Sequence, residues 1–557
     1  MTATARRIVP PQLTPPSRRR RRRVEWLVLR WQARLDARWA DRVVPWATAA
    51  VLFAVWTALA VSRVERLEAG SALARHVQAV WLLASGEQPE TTIAPVGNLF
   101  ADRFPVLLVP LAALTRVLPL TATLLAVQSA SLALGAVPLW HLARRVANLG
   151  VGASATLVFA YALHPALADL DLADFNPATM ALTPLLAAAY FAEQRQWRRF
   201  ALASVVVVLW SSEFALVIAG MGALLLFEGE RRAGLRTLIA GAAWAGVALF
   251  VVQVPLGSTG IVAPGAFDAY GSNGLDVLIE MVRNPFRPLG DVLAEANVRL
   301  IVWVLGPLLF VPLLAIRKLA PVAALQVLYL VADVSLTGPT GGGRMVPVVA
   351  FSFVAAAFAL RRLGRARLDR VLVDRRLLSL MIAAALAAAS LTSLLSPYER
   401  PWRSESPLEP DLRVALARVP PIVPVRVPAA LAPRVAERSS VYVLEDEFVP
   451  TADGAPPFAS PSALVRGVRG LVVDLALFGL DEEGAARLRR DLRREGFLQV
   501  RRSGNLVIYL PFEETPPPVD EAPTAPVPIP VPIPGPVPEV PPTTTSPDAV
   551  PVPVPPP

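Results

Sequence analysis

The chain has 557 residues, of which 54% are hydrophobic and only 18% are charged. This composition is far from that of an average soluble domain and indicates a membrane protein. The net charge of +10 comes almost entirely from arginine, which in a membrane protein mostly reports cytoplasmic loops and does not indicate nucleic-acid binding. The absence of cysteine excludes a disulfide framework and a thiolate metal site.

The N-terminal 43 residues predict a disordered, arginine-rich start followed by an interfacial helix. An unbroken run of arginines covers residues 18–23, shortly before the first apolar segment. Such a run is typical of a terminus that stays on the cytoplasmic side against anionic lipid. Residues 24–43 mix tryptophan with arginine, the pattern of an amphipathic helix that lies in the membrane interface.

Apolar runs between residues 44 and 396 predict a polytopic bundle of membrane-spanning helices. A span needs about 20 apolar residues, and cytoplasmic connections are rich in arginine. One arrangement puts every arginine cluster after the first span in the cytoplasm. It treats residues 105–118 as a short outer-face helix and divides residues 198–228 into two short spans that meet near Glu213. The eleven predicted spans are residues 44–62, 120–142, 149–166, 177–194, 198–211, 214–228, 237–254, 299–316, 319–335, 345–360 and 378–396.

This arrangement predicts a cytoplasmic N-terminus, an extracytoplasmic C-terminus and a long outer loop at residues 63–119. Residues 397–514 alternate β-rich runs with one amphipathic helix and predict a small extracytoplasmic α/β domain. Residues 515–557 contain 19 prolines and predict a disordered, extended polyproline rod. The rod is either a spacer that reaches toward the cell envelope or a docking segment for an envelope partner.

Acidic side chains collect in the predicted outer loops, which indicates a site at that face of the membrane. Charged groups at membrane depth are costly unless they meet water or partners. Asp169 and Asp171 fit a solvated loop, whereas Asp174 stands directly before Phe-Asn-Pro and either caps the next helix or has a catalytic or metal-binding role. Glu213 lies in a 31-residue apolar run, so this carboxylate is expected to be functional.

Arg344 follows three glycines in an outer loop and is a candidate for phosphate binding. Glycine lets backbone amides approach an oxyanion, and a guanidinium can form two hydrogen bonds to a phosphate. The sequence contains no glycine-rich nucleotide loop and no zinc-protease or serine-hydrolase motif, so nucleotide-driven chemistry is not expected.

Five segments resemble an uncharacterised polytopic membrane family, the domain of unknown function 2079. The resemblance covers roughly residues 65–510 and is strongest in "HVQAVWLLASGEQPETT", "DRFPVLLVPL", "AVPLWHLARRV", "DLADFNP" and "SSEFALVIAGMGALLL". That family in turn resembles the GT-C glycosyltransferases. These are integral membrane enzymes that take a sugar from a polyprenyl-phosphate carrier and use acidic residues on outer loops.

The resemblance implies site residues wherever this chain matches the family pattern. The matches are Gln78 with Trp81, Asp174 with Phe175 and Pro177, and Glu213. Three positions depart from the pattern: Ala72 stands where an aspartate is common, Asp102 and Arg103 replace a histidine, and Asn176 replaces the histidine of Asp-Phe-His-Pro. In GT-C enzymes the first-loop acid usually serves as the base, a role that Glu65 or Glu68 would take here.

The resemblance implies a GT-C-like glycosyltransferase that uses a polyprenyl-phosphate-linked sugar at the extracytoplasmic face of the plasma membrane. The expected catalytic residues are Asp174, Glu213 and Glu68. The expected substrate-binding residues are Arg344, Arg103, Asn176, Gln78 and Trp81. Asp174 and Asp171 would hold a divalent cation, Mg²⁺ or Mn²⁺. Two alternatives remain open, which are a non-catalytic member that acts as an envelope assembly scaffold and a lipid or solute transporter.

Overall fold

The computed structural model describes residues 39–94, 96–257, 270, 279–280, 283–284, 286–331, 342–367, 370–392, 416, 419, 423–447 and 460–512. The arginine-rich N-terminus, the proline-rich tail and most of the predicted interfacial helix lie outside these residues.

The membrane part of the chain is helical, and 3₁₀ or π segments extend several of its helices. The α-helices are α1 (Ala40–Glu65), α2 (Ser71–Ser85), α3 (Leu108–Leu114), α4 (Leu120–Leu134), α5 (Ala136–His141), α6 (Val151–Ala162), α7 (Pro165–Leu172), α8 (Leu182–Glu193), α9 (Trp197–Trp210), α10 (Ala215–Phe227), α11 (Arg231–Gly246), α12 (Phe286–Val292), α13 (Glu295–Leu305), α14 (Ala320–Val331), α15 (Val346–Leu363) and α16 (Arg375–Thr392).

Within the described residues, six helical segments are long and apolar enough to cross a membrane, so the predicted count of eleven is not confirmed. A seventh is added if α6 and α7, which meet at a 41° bend, are counted as one broken span. The six segments are Ala40–Glu65, Leu120–Val146, Arg231–Gln253, Val311–Val331, Gly342–Leu363 and Arg375–Thr392.

Three other predicted spans are short helices whose interruptions have local causes. α8 has 12 residues and continues directly from a 3₁₀ turn, Pro177–Ala181, that Asn176 caps. α9 and α10 have 14 and 13 residues, because the backbone of Ser211 is extended between them. At about 1.5 Å per residue, helices of this length are well short of a ~30 Å hydrocarbon core. The interruption near Glu213 is where the sequence predicted it.

The predicted span over residues 299–316 is wrong. α13 ends within it, and Leu309 and Phe310 adopt left-handed backbone angles that no α-helix contains. Pro307 lies in this turn and lacks the amide hydrogen that a continuing helix would need. The apolar helical segment of this region is therefore Val311–Val331, which is kinked at Ala315.

The hairpin of α10 and α11 packs with its backbones in contact. A Cβ atom on Gly222 would lie 2.4 Å from the amide nitrogen of Leu238, and one on Gly241 would lie 2.7 Å from that of Ala219. Small residues allow this close approach in membranes, where packing holds helices together. The hairpin brings the start of α10 beside the end of the Arg231–Gln253 segment.

The C-terminal described residues form an α/β layer that packs directly on the helical part. Its sheet has the order β6-β5-β7-β9-β8; β5 runs parallel to β6 and β7, and β9 runs antiparallel to β7 and β8. The elements used here are β1 (Glu90–Thr91), β2 (Gly97–Asn98), β3 (Arg365–Arg367), β4 (Arg370–Leu372), β5 (Val425–Val427), β6 (Val441–Val443), β7 (Gly470–Asp474), β8 (Phe497–Ser503), β9 (Leu506–Pro511), α17 (Ala432–Val435), α18 (Pro461–Val465) and α19 (Glu482–Arg494).

The two faces of this sheet have different neighbours. α19 covers one face through Leu488 and Leu492. On the other face, Val472 and Ile508 belong to the same hydrophobic cluster as Leu73 of α2. The strands and helices of this layer thus share a core with α2, and the described chain up to Phe512 forms one compact unit, so a separate α/β domain over residues 397–514 is not confirmed.

Replacement of Gly241 by alanine is expected to lower the stability of the helix hairpin by about 1–3 kcal/mol, because the added methyl group overpacks a backbone contact. The melting temperature of the detergent-purified protein measures this effect. Gly246→Ala in the same segment is the matched control, since nothing lies within 4 Å of its Cβ position. Equal melting temperatures for the two variants would contradict the close packing.

Candidate functional site

A cavity of about 250 Å³ lies between the first long loop and the turn that follows α7. α2, the segment around residues 99–105 and the end of α9 contribute to its wall, together with the glycine-rich turn before α15. Its charged and polar side chains include Arg75, His76, Asp102, Arg103, Asn176 and Arg344.

Asp174 fixes the helix that carries the first part of this wall. Its carboxylate accepts hydrogen bonds from the backbone amides of Ala72 at 3.1 Å, Leu73 at 2.8 Å and Phe175 at 2.8 Å. Gly70 leaves room for it, since a Cβ there would lie 2.4 Å from the Asp174 Oδ2 atom. The first amides of a helix attract negative charge. Asp174 therefore caps α2, about 100 residues away, and it does not line the cavity.

Asn176 and Gln128 hold the turn between α7 and the next helical segment. The Asn176 side-chain oxygen accepts from the Ala178 amide at 3.0 Å and from Arg103 Nη1 at 3.3 Å. Gln128 accepts the Asn176 amide at 2.9 Å and donates to the Asp171 carbonyl at 3.0 Å. Non-helical backbone near lipid needs partners within the protein. Gln128, which is fully buried, supplies them here.

Arg103 is the central side chain of the wall. Its Nε atom lies 3.0 Å from Glu213 Oε1, and the side chains of the two residues are only 14% and 5% exposed. Tyr329 donates its hydroxyl hydrogen to the other oxygen of Glu213. Burial lowers the pKa of Arg103, but the carboxylates of Glu213 and Asp102 outweigh burial and raise that pKa above its ordinary value. Both oxygens of Glu213 are thus already bound.

The backbone at Arg103 and Phe104 is left-handed, with φ angles of 35° and 46°. Such angles are uncommon outside glycine, and they are held only where surrounding contacts compensate. The Arg103 carbonyl accepts the Ser212 amide at 2.8 Å, and Phe104 stacks on Trp244 with ring centroids 6.4 Å apart. The first long loop is therefore docked onto the helix interruption that contains Glu213.

Asp102 is the open carboxylate of the cavity, because half of its side-chain surface is exposed. Burial raises the pKa of Asp102, but Arg103 and Arg75 outweigh burial and bring this pKa below its ordinary value. Arg75 Nη1 donates to Asp102 at 3.2 Å. Burial, assisted by the charge of Arg75, lowers the pKa of His76 to about 4. At neutral pH the carboxylate of Asp102 is therefore ionised and His76 is uncharged.

The cavity wall carries an excess of positive charge. Three arginines and one aspartate line it, His76 is neutral, and Glu213 pairs with Arg103 from outside the lining, so one positive charge remains. Arg344 lies over the ring of Tyr329, 5.7 Å from its centroid. The neighbouring Gly343 packs against Asn176, where a Cβ would lie 2.6 Å from the side-chain nitrogen. Guanidinium groups arranged in this way suit an anionic oxygen ligand such as phosphate.

Gln78 and Trp81 lie away from the cavity and join α2 to the α/β layer. Gln78 donates to the Ser439 carbonyl at 2.9 Å and accepts the Thr92 amide at 3.0 Å. Trp81 packs against the hydrophobic cluster that the layer shares with α2. In this structure both side chains position α2, and neither contributes to the cavity wall.

Glu68 and Asp171 also lie outside the cavity wall. Glu68 pairs with Arg63 at 3.2 Å and with Arg66 at 3.4 Å. The carboxylate of Asp171 accepts the hydroxyl hydrogen of Ser129 at 2.9 Å. In the part of the chain that the structure describes, no group of three or more histidine, aspartate or glutamate side chains could hold a metal ion. The divalent-cation site predicted at Asp174 and Asp171 stays a prediction.

Sequence reasoning missed the parts played by Tyr329, Arg75 and Asp102. The position of Tyr329 in an apolar helix predicts a hydrogen-bond partner for its hydroxyl group, because a buried phenol hydroxyl needs one. In the sequence, Arg75 and Asp102 are only two of several charged residues in the first long loop. No local pattern shows that the two are adjacent, since 27 residues separate them.

Asp174→Asn is expected to destabilise the protein by about 1–2 kcal/mol, because an amide nitrogen cannot accept the Ala72 amide hydrogen. Gly70→Ala should have the same effect by displacing the carboxylate. Melting curves of the purified protein report both, and Ser85→Ala at the far end of α2 serves as the control that stays within about 0.5 kcal/mol. Wild-type stability of both test variants would contradict the capping role.

Comparison with known proteins identifies the family. No curated protein matches the chain significantly. Among solved structures, the chain is similar to the crystal structure of ArnT from Cupriavidus metallidurans bound to undecaprenyl phosphate, with 14% sequence identity, a TM-score of 0.44, and coverage of 85% of this chain and 98% of that one. Residues 63–453, well over half of the chain, match the family described as "Predicted membrane protein (DUF2079)". The protein therefore belongs to the DUF2079 family of membrane proteins.

Proposed function

We propose that the protein is a GT-C-like glycosyltransferase that takes a sugar from a polyprenyl-phosphate carrier at the extracytoplasmic face of the plasma membrane. The observation that carries this proposal is the cavity with three arginines and one open carboxylate at the end of an apolar helical bundle. Arginines bind the phosphate of such a carrier, and the surrounding lipid accommodates its polyprenyl chain.

Asp102 is the better candidate for the catalytic base than the three carboxylates expected from the sequence. Asp174 is bound to backbone amides, Glu213 to Arg103, and Glu68 lies outside the cavity wall. Asp102 lines the cavity, is half exposed and is ionised. It can therefore accept the proton of an acceptor hydroxyl.

The transfer step uses this base and the arginine wall together. As the proton passes to Asp102, the acceptor oxygen forms a bond to the anomeric carbon of the sugar. The bond between that carbon and the phosphate oxygen breaks, and its electron pair leaves with the polyprenyl phosphate. Arg103 and Arg344 stabilise the negative charge that the leaving phosphate gains, while Arg75 orients Asp102 through its hydrogen bond.

The charge difference between the two ends of the bundle supports the proposed sidedness. Glu213 precedes α10 at the cavity, whereas Glu228 follows α10 and pairs with Lys318 at 2.5 Å. Arg344 precedes α15 at the cavity, whereas Arg361 and Arg362 end α15 at the far side of the bundle, where Arg361 donates to the Val146 carbonyl next to Arg144 and Arg145. Connections rich in arginine face the cytoplasm in membrane proteins. The cavity then faces the outside, and the N-terminus lies inside.

A second candidate function is a non-catalytic scaffold for envelope assembly. Asp174 and Glu213, the acids that match the family pattern, both make structural contacts, and this observation favours the scaffold. Such a scaffold would tolerate replacement of the open carboxylate, whereas a transferase would not.

Asp102→Asn is expected to lower the turnover number by at least about 100-fold, because the substituted amide cannot accept the proton. The measurement is sugar transfer in membranes of a deletion strain that carries each variant, with lipid-linked sugars and envelope glycans as the readout. Arg103→Gln and Arg344→Gln should instead weaken donor binding. Arg116→Gln, an exposed position in the same loop, is the matched control. Full restoration of transfer by Asp102→Asn would support the scaffold.

A further inference from the structure

A second, smaller cavity of about 40 Å³ adjoins the larger one. Asp102, Arg103 and Arg344 line both cavities. The remaining lining of the smaller cavity includes Ser212, Glu213, Leu216, Ala245, Leu249 and Gln253. A transferase must hold the leaving group and the transferred group of its donor around one reacting atom. Two cavities that share a wall can each hold one of these two parts of a single substrate.

The size and lining of the smaller cavity suit a phosphoryl group. It has room for about three water-sized groups, which excludes a sugar ring. Gln253 Nε2 donates to Ser212 Oγ at 3.1 Å, so the hydroxyl hydrogen of Ser212 can be donated to a ligand oxygen. Asp102 and Glu213 also line this cavity, and the charges of Arg103 and Arg344 balance theirs, so a phosphoryl oxygen would take its hydrogen bonds from Arg103, Ser212 and Gln253.

The smaller cavity borders a helical segment that faces the lipid. Leu249 and Gln253 belong to Arg231–Gln253, and only 11% of the apolar stretch of that segment is buried. On its outward side, Phe250 and Val251 are 71% and 65% exposed. The last residues of this segment form a π-helix, a distortion that is frequent at functional sites. A phosphate attached to a lipid chain can reach this cavity from the membrane.

The larger cavity has the lining expected for a sugar. Trp210 lines it beside Asp102, Asn176 and His76. Aromatic rings pack against the apolar faces of sugars, while the polar side chains can bind hydroxyl groups. The shared residue Asp102 then lies where the two compartments meet.

We propose that the carrier phosphate occupies the smaller cavity, where Gln253 and Ser212 bind it together with Arg103, and that the sugar ring occupies the larger cavity. This assignment rests on the proposed function and adds Gln253 and Ser212 as determinants of phosphate recognition. Trp210 becomes a determinant of sugar recognition. The reacting carbon then lies between the two compartments, beside Asp102.

The test is equilibrium binding of two probes, sugar-free polyprenyl phosphate and the sugar-loaded carrier, to the full chain in nanodiscs. Gln253→Leu should weaken binding of sugar-free polyprenyl phosphate by about tenfold or more, because a hydrogen bond to a charged group is lost. Gln253→Glu has nearly the same shape, and its carboxylate should weaken binding further by repulsion. Trp210→Leu should leave the affinity for sugar-free polyprenyl phosphate within about twofold. It should weaken only binding of the sugar-loaded carrier.

The possible results separate this assignment from the proposed function. If the wild-type chain binds neither probe, the proposed function itself is overturned. If the wild type binds both, but Gln253→Glu and Ser212→Ala bind sugar-free polyprenyl phosphate as the wild type does, the assignment to the smaller cavity is overturned. The assignment would also be overturned if folded Gln253→Glu and folded Trp210→Leu lost equal affinity for sugar-free polyprenyl phosphate. The two cavities would then not be separate subsites.

Discussion

The ion pair between Arg103 and Glu213 is the interaction on which the site depends. It joins the first long loop to the interruption between α9 and α10, and it places a guanidinium where two cavities meet. A buried pair is stable only when hydrogen bonds satisfy its remaining polar atoms. Tyr329 provides one for the carboxylate and Asn176 one for the guanidinium. The left-handed backbone at Arg103 follows from this docking.

Carboxylates have two different uses in this protein. Asp174 binds backbone amides and so stabilises a helix start, and Glu213 binds a cation and so orients it. Neither carboxylate is available to accept a proton from a ligand. Asp102, with an arginine on each side, is open to the cavity and ionised. Asp174 and Glu213, the acids that match the family pattern, thus make structural contacts. Asp102, at a position that departs from the pattern, faces the cavity.

The class of the protein and the interruption near Glu213 could be predicted from the sequence. These predictions depend on local signals, which are apolar length and an acid within an apolar run. The number of spans could not be predicted, because turns such as the one at Pro307 divide apolar runs that hydropathy alone joins. The target of the Asp174 carboxylate could not be predicted either, since only the folded chain brings α2 to it.

The most direct measurement of the central claim is a double-mutant cycle on thermal stability with Arg103→Gln, Glu213→Gln and the double variant. Each single change leaves a buried charge unpaired, which typically costs about 3–5 kcal/mol. The predicted result is that the double variant melts no lower than the less stable single variant, since both charges are then absent. Additive losses, with the double variant melting far below both, would show that the two side chains do not depend on each other.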